Sequence, residues 1–279
     1  MKIAILGAGK FGVNVIEALL DGGHDITLVD LNTSRLDLIS KQYDVLTYVG
    51  DIRTVDVLEQ IEISSFDFLL SCTSSDDVNI IAASNAKALG CQKVAARMSE
   101  PDYTHQYDFI CRHYGIDAIV NPNIILAEAI YNTLIEKCFE KPGKHKVMII
   151  GGGRSGFYLA DKLSSRGDYV KLIEVNEDRC RYLCDHLHNV MVLHGRGTDI
   201  ALLEEEDFTT MDAFVTATGS DEEDLLMALT ARDHGVKNVI SKVKYSSYNE
   251  LAEKLGIDAL FNPMTLSATE ILRIISEDK

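Results

Sequence analysis

Short apolar runs and amphipathic stretches alternate along this chain in a fixed rhythm. "KIAILG" (2–7) is continuously apolar, "FGVNVIEALLDGG" (11–23) carries helical spacing closed by glycine, and "DITLVD" (25–30) is apolar again. Further apolar runs, "VLTYVG", "FDFLLSC", "KVAARM" and "IDAIVNP", predict strands, and the segments near 33–42, 54–60, 76–89 and 101–113 predict helices. Strands that are apolar throughout are buried on both faces, so the pattern predicts an α/β fold with a doubly wound parallel sheet.

The rhythm then repeats. "KVMIIGGGRSG" (146–156) answers the opening, "YVKLIEV" the second strand, and "DAFVTATGSDEED" (212–224) answers "DFLLSCTSSDDVN" (67–79). "YGIDAIVNPN" and "LGIDALFNPM" are nearly one string. The chain reads as a tandem repeat of two Rossmann-like domains, 1–139 and 145–279, joined by a linker at 140–144 within the polar stretch "EKPGKHK".

Each repeat opens with the same chemistry. Gly7, Gly9 and Gly12 form G-x-G-x-x-G between a predicted strand and helix, and Gly151, Gly153 and Gly156 repeat it. The first glycine permits the tight turn, the second lets a pyrophosphate approach the backbone, and the third lets helix pack on strand. Asp30 and Glu174 end the second strand of each repeat, where an acid hydrogen-bonds the ribose hydroxyls of an adenine nucleotide. A carboxylate there repels a 2′-phosphate, which disfavours NADP against NAD(H) or ATP/ADP. At the carboxyl end of the fourth strand stand Thr73 and Ser74, matched by Thr218 and Gly219; they face the ligand crevice or cap the next helix. Arg97 and Lys242 end the fifth strands, facing phosphate or a surface ion pair. Asp51 and Asp199 are weaker candidates that could equally cap helices.

Composition narrows the class. The 279 residues carry a formal charge of −16 without a Lys/Arg cluster, which argues against nucleic acid as a partner. An acidic surface suits a basic one opposite, such as the cytoplasmic loops of a membrane protein, or simply keeps the chain soluble. No apolar run approaches the length of a membrane span and no signal-peptide cleavage site follows the start, so a cytoplasmic location is expected. Six scattered cysteines fit reduced thiols. Cys180, Cys184, His186 and His188 fall on one predicted helix without a second ligand pair, so no metal is expected. Tyr158 and Lys162 have short-chain-dehydrogenase spacing, but on the helix after the glycine loop, away from any nicotinamide carbonyl. His24, His105 and His234 lack a nucleophile or carboxylate partner in their sequence context. Neither repeat holds a long insertion or an acid–base pair for catalysis, so sensing rather than turnover is expected. An NAD-dependent oxidoreductase with its substrate between the repeats remains the competing reading.

"MKIAILGAGKFG", "CTSSDDVN", "VAARMSEPDY" and "IDAIVNPN" together resemble the nucleotide-binding lobes that regulate potassium channels and transporters. Two such lobes in one chain are similar to the TrkA-type peripheral subunit of bacterial Trk potassium uptake. The resemblance implies a non-catalytic subunit at the inner face of the cell membrane, bound to a TrkH/TrkG-like potassium-translocating protein, or to an efflux or antiport protein instead. It implies assembly as a homo-oligomer, a dimer or a ring of lobes, with NAD(H) or ATP/ADP in each cleft. Carried onto this chain, the first site is Gly7, Ala8, Gly9, Lys10 and Phe11 with Asp30, Thr73, Ser74 and Arg97. The second is Gly151, Gly152, Gly153, Arg154 and Ser155 with Glu174, Thr218, Gly219 and Lys242. The helices "IILAEAIYNTLIE" and "MTLSATEILRIIS" resemble the crossover helices through which lobes pair, or simply cover their own sheets. TrkA-type chains place a small C-terminal ligand domain after each lobe; here the first lobe runs directly into "EKPGKHK".

Overall fold

The computed structural model describes residues 1–139, 144–244, 248 and 254–277. The chain divides into two compact units, each an α/β domain around one parallel sheet.

The first unit contains β1 (Lys2–Leu6), α1 (Lys10–Leu19), β2 (Asp25–Asp30), α2 (Thr33–Gln42), β3 (Leu46–Val49), α3 (Val55–Gln60), β4 (Phe68–Ser71), α4 (Asp76–Ala88), β5 (Lys93–Arg97), α5 (Tyr107–Tyr114) and β6 (Ala118–Val120). Its strands lie in the order β3-β2-β1-β4-β5-β6, all parallel. The order reverses direction beside β1, which opens a crevice at the carboxyl ends of β1 and β4. Both faces of the central strands are buried, as their unbroken apolar runs require: Ile3, Ala4, Ile5 and Leu6 are wholly enclosed, with Leu69 and Leu70 beside them. Asn32 caps α2 by accepting from the Arg35 amide, and Ser75 caps α4 by accepting from Val78. The helix expected over 101–113 is resolved into 3₁₀ turns, Pro101–Gln106, leading into α5.

The second unit repeats the plan with α6 (Pro122–Thr133), β7 (Lys146–Ile150), α7 (Arg154–Arg166), β8 (Tyr169–Glu174), α8 (Glu177–His186), β9 (Val190–His194), α9 (Ile200–Glu205), β10 (Ala213–Thr216), α10 (Asp221–Asp233), β11 (Asn238–Lys242) and β12 (Ala259–Phe261). Its order is β12-β11-β10-β7-β8-β9, the same permutation shifted by one repeat and again parallel.

The units are not the consecutive stretches 1–139 and 145–279. The first comprises Met1–Pro122 with Met264–Lys279, and the second comprises Asn123–Pro263. Thus α6, which follows β6 in sequence, packs within the second unit, and α11 (Pro263–Ser276) packs within the first. Leu126, Ala127 and Ile130 of α6 are buried, Lys162 of α7 donates to Glu128 at 3.0 Å, and the Lys162 ammonium lies 5.0 Å from the centre of the Tyr131 ring. From α11, Ala268, Ile271, Ile274 and Ile275 are buried, and Lys93 of β5 donates to the Ile274 carbonyl at 2.8 Å. Burying each of the leucine and isoleucine side chains among these is worth about 1.5–3 kcal/mol, so each exchanged helix is a firm part of its unit. Most of the expected linker, residues 140–143, lies outside the described residues.

Candidate functional site

Each crevice is built around the glycine turn after the first strand. Gly7 N donates to Val29 O, and Cys72 N donates to Leu6 O, both at 2.8 Å, which fastens the turn between β2 and β4. In the second unit Gly151 N and Ala217 N make the equivalent bonds to Ile173 O and Ile150 O, again at 2.8 Å. Gly7 adopts φ +121° and Gly151 φ +106°, a backbone that side-chain-bearing residues rarely take. A Cβ on Gly12 or Gly156 would strike the carbonyl oxygen of Gly7 or Gly151, so the third glycine allows the helix to sit against the turn.

The middle glycines have a different reason. Gly9 and Gly153 are extended, a conformation open to any residue, and a Cβ on either would meet nothing within 4 Å among the described residues. Packing therefore does not account for glycine here, and the backbone at both positions is left open to close approach by another group. The helices α1 and α7 also start without any side-chain cap, in contrast to α2, α4, α8 and α10. Glycine at both N-caps brings no side-chain oxygen to these helix starts, an arrangement that suits an anion.

Around these turns lie two clefts of nearly equal size, about 510 Å³ in the first unit and about 500 Å³ in the second. The first is lined by Gly7, Gly9, Lys10 and Phe11 from the turn, with Asp30, Thr73, Ser74 and Arg97. The second is lined by Gly151, Gly153, Arg154 and Ser155, with Glu174, Thr218, Gly219 and Lys242. Ala8 and Gly152 do not line the clefts; their amides hold the acids instead. Ala8 N donates to Asp30 Oδ2 at 2.6 Å and Gly152 N donates to Glu174 Oε2 at 2.8 Å, while Asn32 N and Asn176 N hold the other carboxylate oxygens at 2.8 Å.

The cations are braced from behind. Arg97 donates to Thr73 O at 2.8 Å, with its guanidinium 5.1 Å from the centre of the Phe11 ring, and Lys242 donates to Thr218 O. Asp51 lines the first cleft, where its bonds to Arg53 hold its carboxyl down at about 2. Asp199 accepts from Ala201 N and Leu202 N and caps α9 without lining the second cleft.

Several residues of the clefts escaped the sequence reading. Arg35 and Arg53 line the first, and Arg196 and Glu223 the second, joined to each other by a 3.5 Å ion pair. Each cleft also takes one residue from the exchanged helix: Met264 lines the first, and Asn123 lines the second, where its Oδ1 accepts from Ser155 Oγ at 2.9 Å. Behind the Thr73 loop Asn79 is fully buried, accepting from Thr73 N at 2.8 Å and donating to Arg97 O at 2.8 Å. Its counterpart, Asp224, is as deeply buried and accepts from Thr218 N at 2.8 Å. A signal for both existed: Asn79 and Asp224 continue the buried stripes Ala82-Ala83-Ala86 and Met227-Ala228-Ala231 at helical spacing.

No histidine or tyrosine lines either cleft among the described residues. Cys72 lines the first, but burial raises its thiol to about 12, so it stays protonated. Among the described residues no cluster of three or more His, Cys, Asp or Glu side chains is placed to hold a metal, and no helix is long and apolar enough to cross a membrane.

Comparison with known proteins follows the same duplication. The TrkA-N domain family matches residues 3–122 and again 147–263. The Trk system potassium uptake protein TrkA homolog of Archaeoglobus fulgidus is 26% identical over 355 aligned positions, covering 99% of this chain and 81% of that protein. The Trk system potassium uptake protein TrkA of Vibrio alginolyticus is 24% identical, covering 98% and 78%. Since 355 positions exceed the 279 residues of this chain, the archaeal relative carries insertions with no counterpart here. Among solved structures, GsuK bound to ADP superposes with a TM-score of 0.81 at 16% identity, covering 100% of this chain and 70% of that one. The GsuK channel bound to NAD superposes at 0.82 and 14% identity, covering 99% and 64%. With both halves matched across most of their length, the chain belongs to the TrkA-N domain family and carries two copies of that domain in tandem.

Proposed function

We propose that this chain is a non-catalytic, nucleotide-sensing regulatory subunit of a potassium-translocating membrane protein, residing in the cytoplasm against the inner face of the membrane. An adenine nucleotide, NAD(H) or ATP/ADP, occupies each cleft. The observation that carries the reading is the pair of empty spaces over Gly9 and Gly153, each set against an uncapped helix start and beside a fixed carboxylate. In each cleft the first-turn amides of α1 or α7 would receive the phosphates. Asp30 or Glu174 would take the ribose hydroxyls on the oxygen lone pairs left over from its two amide bonds. Arg97 or Lys242 would add positive charge on the far side.

The non-catalytic part of the reading is supported by what lines the clefts: no imidazole or phenol among the described residues, and one thiol that burial keeps protonated. The potassium-transport part is supported by the TrkA relatives, named as Trk system potassium uptake proteins, which align over nearly the whole chain. The partner is a TrkH/TrkG-like potassium-translocating subunit, and several copies of this chain act together. A ligand regulates only through its difference in affinity for two arrangements, typically about 1–3 kcal/mol. Small-angle scattering of the full chain, with and without NADH or ATP, tests this. A ligand-dependent change in radius or oligomer size is expected, and unchanged scattering at saturating nucleotide would remove the regulatory reading.

A further inference from the structure

The two clefts share a shape but not a charge. The first is lined by the cations Lys10, Arg35, Arg53 and Arg97 against the carboxylates Asp30 and Asp51, leaving two cations in excess. The second is lined by Arg154, Arg196 and Lys242 against Glu174 and Glu223, leaving one. Arg179, the counterpart of Arg35, is turned away, donating Nε to Gly152 O at 2.7 Å with its guanidinium 4.4 Å from the centre of the Tyr182 ring. Behind the second cleft a buried carboxyl, Asp224, stands where the first has the neutral amide of Asn79. When ionised, Asp224 cancels the remaining positive charge.

The hydrogen bonds differ in the same way. Asn79 both accepts and donates, closing on Thr73 N, Thr73 O and Arg97 O. Ionised Asp224 can only accept, from Thr218 N, so the Thr218 carbonyl is bonded by Lys242, whereas the Thr73 carbonyl accepts from both Asn79 and Arg97. A protonated Asp224 regains one donor, where the Asn79 amide uses two, towards Thr73 O and Arg97 O. Lys242 then faces the cleft with the Asp224 charge gone and only the Asp221 carboxylate acting on it from behind.

We propose that Asp224 is a positioning residue whose protonation tunes the second cleft, so that this cleft takes an anionic nucleotide more tightly on acidification while the first is insensitive to pH. The inference rests on the nucleotide reading of the clefts. Burial raises the Asp224 carboxyl to about 6 and lowers the Lys242 ammonium, which places the change near neutrality. The other charges around Asp224 are Asp221 on its own helix, held by the Lys244 amide at 2.7 Å, and Lys244, whose ammonium is bonded to Gly219 O. His194 is the nearby histidine, with Nε2 3.1 Å from Val175 O at the cleft edge.

NAD⁺ is the probe, because its diphosphate stays ionised throughout the range. The full chain is titrated at about pH 5.5 and about pH 8, with Gly9→Asp silencing the first cleft or Gly153→Asp the second. The second cleft is expected to bind roughly tenfold more tightly at the lower pH, and the first to change by less than about twofold. Asp224→Asn should fix the second cleft at its low-pH affinity, an exchange that Asn79 already makes in the first lobe. Asn79→Asp should import the pH dependence into the first cleft. A flat second cleft in the parent chain, or a pH dependence that survives Asp224→Asn and so belongs to His194 or another group, would overturn the proposal. No binding at any pH in either cleft would instead overturn the nucleotide reading beneath it.

Discussion

The amide of Ala8 donates to the carboxylate of Asp30 at 2.6 Å, tying the glycine turn to the end of the neighbouring strand. The second lobe repeats the bond between Gly152 and Glu174 at 2.8 Å. One contact thus fixes both the shape of the turn and the position of the acid proposed to select the nucleotide.

Removing that acid should separate its two roles. Asp30→Ala removes two amide bonds to the carboxylate and is expected to lower stability by about 1.5–3 kcal/mol, the ordinary worth of hydrogen bonding to a charged group. It should also narrow the preference for NADH over NADPH in the first cleft by about tenfold or more, since the 2′-phosphate no longer meets a carboxylate. Competition titrations in the Gly153→Asp background, alongside thermal melts, measure the two effects. An unchanged preference would show that Asp30 only braces the turn.

The third glycine should behave as a packing residue. Gly12→Ala or Gly156→Ala forces a methyl group against the Gly7 or Gly151 carbonyl, and the loss expected is about 1–3 kcal/mol. Denaturant unfolding of either variant checks this, and a midpoint within error of the parent would mean that the turn yields freely.

The middle glycine should behave in the opposite way. Gly9→Ala places its methyl in open space on an extended backbone, so a stability change of about 1 kcal/mol or less is expected. Nucleotide affinity at that cleft should nevertheless fall by about tenfold or more, because the phosphate loses its approach to the backbone. Equal losses of stability and affinity would place the glycine in the fold rather than in the site.

These contrasts explain what could be read in advance. The strands, glycine turns and terminal acids are local patterns, and each appears where its pattern placed it. The exchange of α6 and α11 was legible only through the resemblance to crossover helices and not from the residues themselves, because an apolar stripe such as Leu126, Ala127 and Ile130 records that a helix is buried but not under which sheet. Asn123 and Met264 were lost with it, since they reach their clefts only through that exchange. Asn79 and Asp224 sit inside otherwise apolar stripes, and their meaning depends on the loop amides folded over them.

Asp224 also makes a prediction about stability. Its folded carboxyl, lifted by burial to about 6, holds a proton more firmly than the unfolded chain does. Folding therefore gains as pH falls from about 6 towards 4, and the ionised form is a burden above that window. Asp224→Asn should stabilise the protein by about 1–3 kcal/mol at neutral pH. Near pH 4, where both states of the parent are largely protonated, the gain should shrink. Melting temperatures of parent and variant across this range check the sign, and a gain that grows on acidification would contradict it.

Isothermal titration of the full chain with NADH, and separately with ADP, tests the central claim most directly: that both glycine cradles are ligand sites. Uptake is expected in both clefts, with one lost in either Gly9→Asp or Gly153→Asp and both lost in the double variant. Heat-silent titrations of the folded parent chain with both nucleotides would contradict it.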